Sequence, residues 1–220
     1  MTKTQIFKNT IPVMMGYVPL GFAFGIYGVS SGLPIWVMGL TCLFVFAGSV
    51  EFVLVAFIIT KASLIDTFII AFLLNFRHFF YTMSLLDEIK TLKNRYYFIY
   101  ALTDETFALL RSRHKNPNEN TNLLFNMTAV LNQIYWVSGV LSGAIFGSIL
   151  DTDFSGIEFT LVALFAILTY EMFKFERNYR VLSVGFACAF MGLFIFSDRY
   201  FLFGSLICAM AILLIFRRYF

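Results

Sequence analysis

A chain of 220 residues that is 60% hydrophobic, holds 29 Phe and is only 13% charged is not an ordinary soluble domain, which carries about a quarter charged residues. Its mean hydropathy of +0.81 reads instead as a polytopic, all-α membrane protein, because about 20 apolar residues cross a hydrocarbon core as a helix. The net charge of +3 argues against a nucleic-acid partner, which leaves the lipid bilayer as the partner expected from composition.

Apolar runs near 10–28, 34–60, 64–86, 96–111, 121–150, 157–174, 180–196 and 200–216 predict about 7–8 membrane segments in a single domain, 1–220. The N-terminal stretch "MTKTQIFKNTIPVMMGYVPLGFAFG" has the basic start and apolar core of a secretory signal. Pro12, Gly16, Pro19, Gly21 and Gly25 interrupt that core and no clear small-x-small cleavage site follows, so it is expected to be a retained first helix. The same five residues predict that this helix is broken. The second run is too long for one straight crossing and holds "FAGSVEF" (46–52), where a half-helix restarting with Ser49 as N-cap would place Glu51 in its first turn. Broken helices survive in a membrane only where freed backbone groups find partners or line a cavity, and midplane breaks are how many secondary transporters build substrate sites. Kinks that serve close packing are the plain alternative. Glu51 likewise reads either as a dipole-stabilised first-turn acid or as a group for ammonium recognition or proton coupling.

Ser63-x-x-Asp66 caps the third run. That run contains "LLNFRHFFYTMSLL" (73–86), with Asn75, Arg77 and His78 close together, and an Arg at the centre of a span costs roughly 2.5–3.5 kcal/mol unless it faces protein or water. On a continuous helix Asn75, His78 and Thr82 share one face, while Arg77, Tyr81 and Ser84 share nearly the opposite one. Arg77 reads either as a substrate-facing cation or as half of a structural ion pair. Asn75 reads as an interhelical hydrogen-bonder or a site group, and His78 as a proton carrier or a packed neutral ring.

"ALTDETFALLRSRH" (101–114) predicts a short helix capped by Thr103, with Asp104 and Glu105 in its first turn and Arg111, Arg113 and His114 at its end. Either carboxylate is a natural partner for Arg77. Whether 96–111 crosses the membrane is left open by charge counting. The polar break "RSRHKNPNENTN" (111–122) is the best candidate for a division between two halves. In the fifth run Asn132, Trp136, Gly139, Gly143 and Gly147 line one helical face, and "GVLSGAIFG" is a small-xxx-small pattern for close approach, within the chain or against another subunit. Lys and Arg place 111–115, 174–180 and the C-terminal "FRRYF" in the cytoplasm, with "DTDFSGIE" and Asp198–Arg199 outside. Cys42, Cys188 and Cys208 have no paired or metal-type spacing and are assigned to packing, so no metal or cofactor is expected. The sequon at Asn126 is one by pattern only, since it lies in or beside a span.

Together "GYVPLGFAFG" (16–25), "FAGSVEF" (46–52), "LLNFRHFFYTMSLL" (73–86) and "LTDETFAL" (102–109) resemble the AzlC-type branched-chain amino acid permease family, densely from residue 10 to about 110 and beyond that by hydropathy and span spacing. The resemblance implies a multi-pass protein of the bacterial inner (cytoplasmic) membrane, not an enzyme, that exports valine, leucine, isoleucine and toxic analogues. It also implies a small membrane subunit of the AzlD type. Carried over by motif, the candidate binding or coupling residues are Gly48, Ser49, Glu51, Asn75, Arg77, His78, Tyr81, Thr103, Asp104 and Glu105. Glu51 departs from the Gln that many relatives carry.

Two rival readings come from other classes. An intramembrane enzyme would also use buried acids, His or Ser, but the Gly-x-Gly-Asp, His-Glu-x-x-His and Gly-x-Ser-x-Gly patterns are missing from the sequence. A non-catalytic scaffold for a partner subunit would tolerate a neutral residue in place of Arg77.

Overall fold

Thr2 opens the first helix, α1 (Lys3–Ser30), with a reciprocal cap: its hydroxyl accepts from the Gln5 N–H and the Gln5 side chain accepts from the Thr2 N–H. The computed structural model of the chain describes residues 2–111, 120–149, 166, 170, 179–196 and 201–216. The described elements after α1 are α2 (Ile35–Phe44), α3 (Gly48–Thr60), α4 (Leu64–Ser84), α5 (Leu86–Lys90), α6 (Arg95–Tyr100), α7 (Asp104–Arg111), α8 (Thr121–Ile149), α9 (Tyr179–Ile195) and α10 (Phe201–Ile215). No strand occurs among the described residues, and the chain is a helical membrane protein. Of the described helices, α1, α4 and α8 are long and apolar enough to cross a bilayer unaided.

Residues 1–161 and 162–220 form two compact units. The core of the first is α1 packed along α8, and glycine decides how close the two lie. A Cβ at Gly21 would meet the Trp136 carbonyl oxygen at 3.0 Å, one at Gly139 the Val18 carbonyl oxygen at 2.6 Å, and one at Gly147 the Ile26 Cα at 3.2 Å. The small-residue face of α8 is therefore spent inside the chain. Rings fill the space beside the seam: Phe24 lies 4.7 Å from Phe52 and 6.0 Å from Trp136, centroid to centroid. In the second unit α9 packs on α10, where Gly192 lies against Ser205 and Phe201. Cys42 and Cys188 are buried, as packing requires, but Cys208 is exposed.

The expected break in the first helix does not occur, because α1 runs unbroken through Pro12 and Pro19. Each proline removes one donor while keeping a helical φ. Beyond Pro19, α1 lies backbone to backbone against α8 at Gly21 and Gly25.

The second run does break, slightly earlier than the sequence suggests. Phe46 takes a positive φ of 41°, and α3 restarts at Gly48 with Ala47, not Ser49, at the cap position. Ala47 has no side-chain oxygen, so the capping role passes to Glu51, whose Oε1 accepts the Ala47 N–H at 3.0 Å. On the other side of the break, the Leu43 carbonyl accepts from the Tyr100 hydroxyl and, at 3.4 Å, from Gln133 Nε2. Every freed group named here has a partner, which is the condition for a broken helix in lipid.

Residues 96–111 are interrupted as well, as α6 and α7 with a turn at 101–103 between them. Thr103 caps α7 as expected: its Oγ1 accepts from the Thr106 N–H at 3.3 Å and its carbonyl from the Phe107 N–H. Ser63 caps α4 through the Asp66 N–H at 3.1 Å. The run at 157–174 apart from residues 166 and 170, the residues Arg113 and His114, and the orientation clusters at 112–115, 151–158, 174–178, 198–199 and 217–218 lie outside the described residues.

Candidate functional site

Three helix starts and one long helix bring the candidate residues together. α3 restarts at Gly48, α7 starts at Asp104, and α4 passes between them carrying Asn75, Arg77, His78 and Tyr81. Arg77 forms an ion pair through Nη1 with Asp104 Oδ2 and donates from Nη2 to Ser49 Oγ at 3.3 Å. The guanidinium thus ties the first turn of α3 to the first turn of α7. Both turns are helix N-termini and carry the partial positive charge of that end. The pair is not sealed, for the Arg77 side chain is 34% exposed and that of Asp104 15%.

His78 Nε2 lies 3.8 Å from Asp104 Oδ1, and its Nδ1 donates to the Asn75 carbonyl at 3.2 Å. The two faces of α4 were expected to point apart. Instead Arg77 and His78, about 100° from each other around the helix, straddle the same carboxylate. Tyr81 stands 5.7 Å from the His78 ring and stacks on Phe107 of α7 at 4.5 Å. Asn75 Oδ1 and Arg77 Nε are buried without hydrogen-bond partners among the described residues.

Glu51 and Glu105 lie on neither side of that ion pair. Glu51 is fully buried, and Trp136 Nε1 donates to both of its carboxylate oxygens at 3.1 and 3.2 Å. Gly48 leaves room for the same indole, whose ring would lie 3.2 Å from a Cβ at that position. Glu105 is bonded to Tyr17 of α1, whose hydroxyl lies 2.6 Å from Glu105 Oε2 and 2.8 Å from Thr103 Oγ1. Of the two acids that could have partnered Arg77, the structure pairs Asp104.

The polar contacts missed in the sequence are those of Tyr17, Trp136 and Asn132. Asn132 Nδ2 donates to Thr106 Oγ1 at 2.8 Å, so α8 contributes to the polar cluster as well as to packing. A usable signal was present for the first two, because a Tyr or Trp in a buried apolar run needs a partner for its O–H or N–H. No group of His, Cys, Asp and Glu among the described residues is arranged to hold a metal ion.

Apolar helices long enough to span a bilayer, two interrupted segments and a polar cluster where they meet define a polytopic membrane protein with a charged cluster between its helix starts. The family model described as AzlC protein matches residues 12–150, and the chain belongs to that family. It is 36% identical over 215 residues to an uncharacterized membrane protein of Helicobacter pylori J99, covering 96% of this chain and 93% of the relative. It is 28% identical over 213 residues to the branched-chain amino acid transport protein AzlC of Bacillus subtilis, covering 96% of this chain and 84% of the relative. The inner membrane protein YgaZ of Escherichia coli is 26% identical over 212 residues, covering 91% of this chain and 85% of the relative. No solved structure matches the chain.

Proposed function

We propose that this chain is a transporter of the inner (cytoplasmic) membrane that exports valine, leucine, isoleucine and their analogues, coupled to protons and acting with a small membrane subunit of the AzlD type. The observation that carries the reading is the partly open Arg77–Asp104 pair between the starts of α3 and α7. A zwitterionic amino acid brings one carboxylate and one ammonium, the same two charges that the pair already matches. The substrate carboxylate takes the planar fork of Arg77, beside Ser49 and the N–H groups at Gly48. Its ammonium takes Asp104, and the exchange leaves no charge uncompensated. Phe107 and Tyr81 border the site and offer an apolar wall to a branched side chain. His78, Glu51 and Glu105 are the titratable groups offered for the coupling protons. The name of the B. subtilis relative supports the substrate class.

The test is efflux. Cells depleted of other exporters are loaded with a valine-containing dipeptide, and valine release is measured for wild type and Arg77→Gln, each with and without the small subunit and with membrane levels checked. Release by wild type and none by the variant is the expected result. Equal release by both removes Arg77 from the site, and no release of valine, leucine or isoleucine by wild type refutes the transport reading.

A further inference from the structure

A second polar cluster runs behind the ion pair and has a property that the pair lacks. Tyr17 Oη, Thr103 Oγ1, Thr106 Oγ1 and Asn132 Nδ2 follow one another from Glu105 Oε2 at 2.6, 2.8, 2.9 and 2.8 Å, a file that crosses from α7 to α1, back to α7 and on to α8. Each hydroxyl has one proton, so the direction of the file follows from its ends. A carboxylate only accepts. With Glu105 ionised, Tyr17 gives its proton to Glu105, Thr103 gives to Tyr17, Thr106 gives to Thr103, and Asn132 supplies an N–H to Thr106. With Glu105 protonated, every one of these bonds can run the other way: Glu105 gives to Tyr17, Tyr17 to Thr103, Thr103 to Thr106, and Thr106 needs an acceptor at the far end. Asn132 has one, since its Oδ1 is buried and without a hydrogen-bond partner among the described residues, and turning the amide presents it to Thr106.

We infer that Glu105 is the proton-carrying residue of this transporter, with Tyr17, Thr103, Thr106 and Asn132 forming a reversible chain that satisfies it both with and without its proton. The inference rests on the transport reading above and assigns one residue to its coupling step. The step is a simple protonation: one proton from water joins the carboxylate to give the carboxylic acid, and leaves on the other side. Glu51 has no such switch: the Trp136 indole and the Ala47 peptide both reach its Oε1 and can only donate, so neither of them can accept the proton of a neutral Glu51. The groups that face Glu105 electrostatically are Tyr17 from α1, Asp104 beside it on α7, and Arg77, His78 and Tyr81 from α4, while α8 brings Asn132 to the chain. Glu105 and Asp104 share the first turn of α7, so a change at the ion pair and a change in the proton load act on the same turn.

The full chain, purified together with its small membrane subunit and reconstituted in liposomes, is given radiolabelled valine with valine on both sides at equal pH, with a pH gradient, or with a sodium gradient at equal pH. Wild type is expected to exchange valine and to concentrate it under the pH gradient alone, by about tenfold per unit of gradient for one proton per valine. Glu105→Gln keeps exchange and loses the gradient-driven accumulation. Tyr17→Phe, which cuts the file and spares the carboxylate, keeps exchange and slows the gradient-driven phase. Infrared spectra that compare high and low pH show a carboxylic-acid C=O band in wild type and Glu51→Gln that is absent from Glu105→Gln and displaced in Tyr17→Phe. Accumulation intact in folded Glu105→Gln, or driven by sodium in wild type, overturns the inference. If Glu105→Gln does not fold, an infrared band and a gradient response unchanged in Tyr17→Phe overturn it instead. Wild type that exchanges no branched-chain amino acid sinks the transport reading, and the infrared bands still decide the proton site.

Discussion

Gly25 of α1 and Gly143 of α8 are the tightest points of one seam: a Cβ on Gly25 would sit 2.2 Å from the Val140 carbonyl oxygen, and one on Gly143 would sit 2.0 Å from that of Phe22. The obstructing atoms are backbone on both sides, so neither can rotate away. Gly25→Ala and Gly143→Ala should each destabilise the protein by at least the ~1–3 kcal/mol of an overpacked core, because two helices must separate to admit one methyl group. Gly16 is the control. Nothing lies within 4 Å of a Cβ there, and Gly16→Ala should be neutral or stabilising by up to about 1 kcal/mol. Thermal unfolding of the purified variants in detergent checks all three, and equal melting temperatures would show that the seam is not closed in the folded protein.

Glu51 and Trp136 bind α3 to α8, and the pair separates charge from hydrogen bonding. Glu51→Gln keeps a carbonyl oxygen for the indole N–H and should fold and reach the membrane at close to wild-type levels. Glu51→Leu leaves both the Trp136 and the Ala47 N–H without an acceptor in a fully buried place, at a cost of about 1–3 kcal/mol for each donor. The measurement is the fraction of folded protein by fluorescence-detected size exclusion after heating. Loss of folded Glu51→Gln comparable to that of Glu51→Leu would mean that the negative charge itself is required.

The legible and illegible parts of the site divide along chain distance. Thr103 as a cap, Asp66 beside Ser63, and a break near 46–52 were readable because each depends on neighbours within four residues. Ser49 was misplaced as a cap since the sequence offers a hydroxyl there, whereas the backbone turns one residue before Gly48 and uses the Glu51 carboxylate in its stead. The prolines of α1 suggested a broken helix, whereas α1 stays helical through both and packs against residues 136–147, far along the chain. The choice of Asp104 over Glu105 as partner for Arg77 was equally out of reach: adjacent residues on α7 point about 100° apart, and only the positions of α4 and α1 decide which acid meets the arginine and which the tyrosine.

Lys61 ends α3 in the left-handed region, with φ 51° and ψ 44°, where its N–H bonds to the Ile58 carbonyl and the Ala62 N–H to that of Phe57. This is the glycine position of a Schellman ending, occupied by a residue with a Cβ, and its side chain is exposed. Lys61→Gly should therefore raise stability by about 1 kcal/mol, because a strained conformation is relieved and no packing is lost. A rise in melting temperature with unchanged transport is the expected result. A fall would show that the lysine is held by something other than its backbone.

Arg77 and Asp104 allow a test that separates a structural pair from a binding pair. Arg77→Gln and Asp104→Asn each leave one charge without its partner, and both should lose transport whichever role is true. Their exposure of 34% and 15% keeps the stability cost of each below the ~3–5 kcal/mol seen when a fully buried pair is broken. The double variant Arg77→Gln/Asp104→Asn decides. With both charges gone no bare ion remains, so the fold should recover to near wild type. A purely structural pair then predicts that transport recovers with it. Substrate recognition predicts the opposite, a well-folded protein that still moves no valine, because neither end of the zwitterion finds its counter-charge. We expect the second outcome, read as valine efflux normalised to protein in the membrane, with a large coupling between the two positions in stability and no recovery of transport in the double variant.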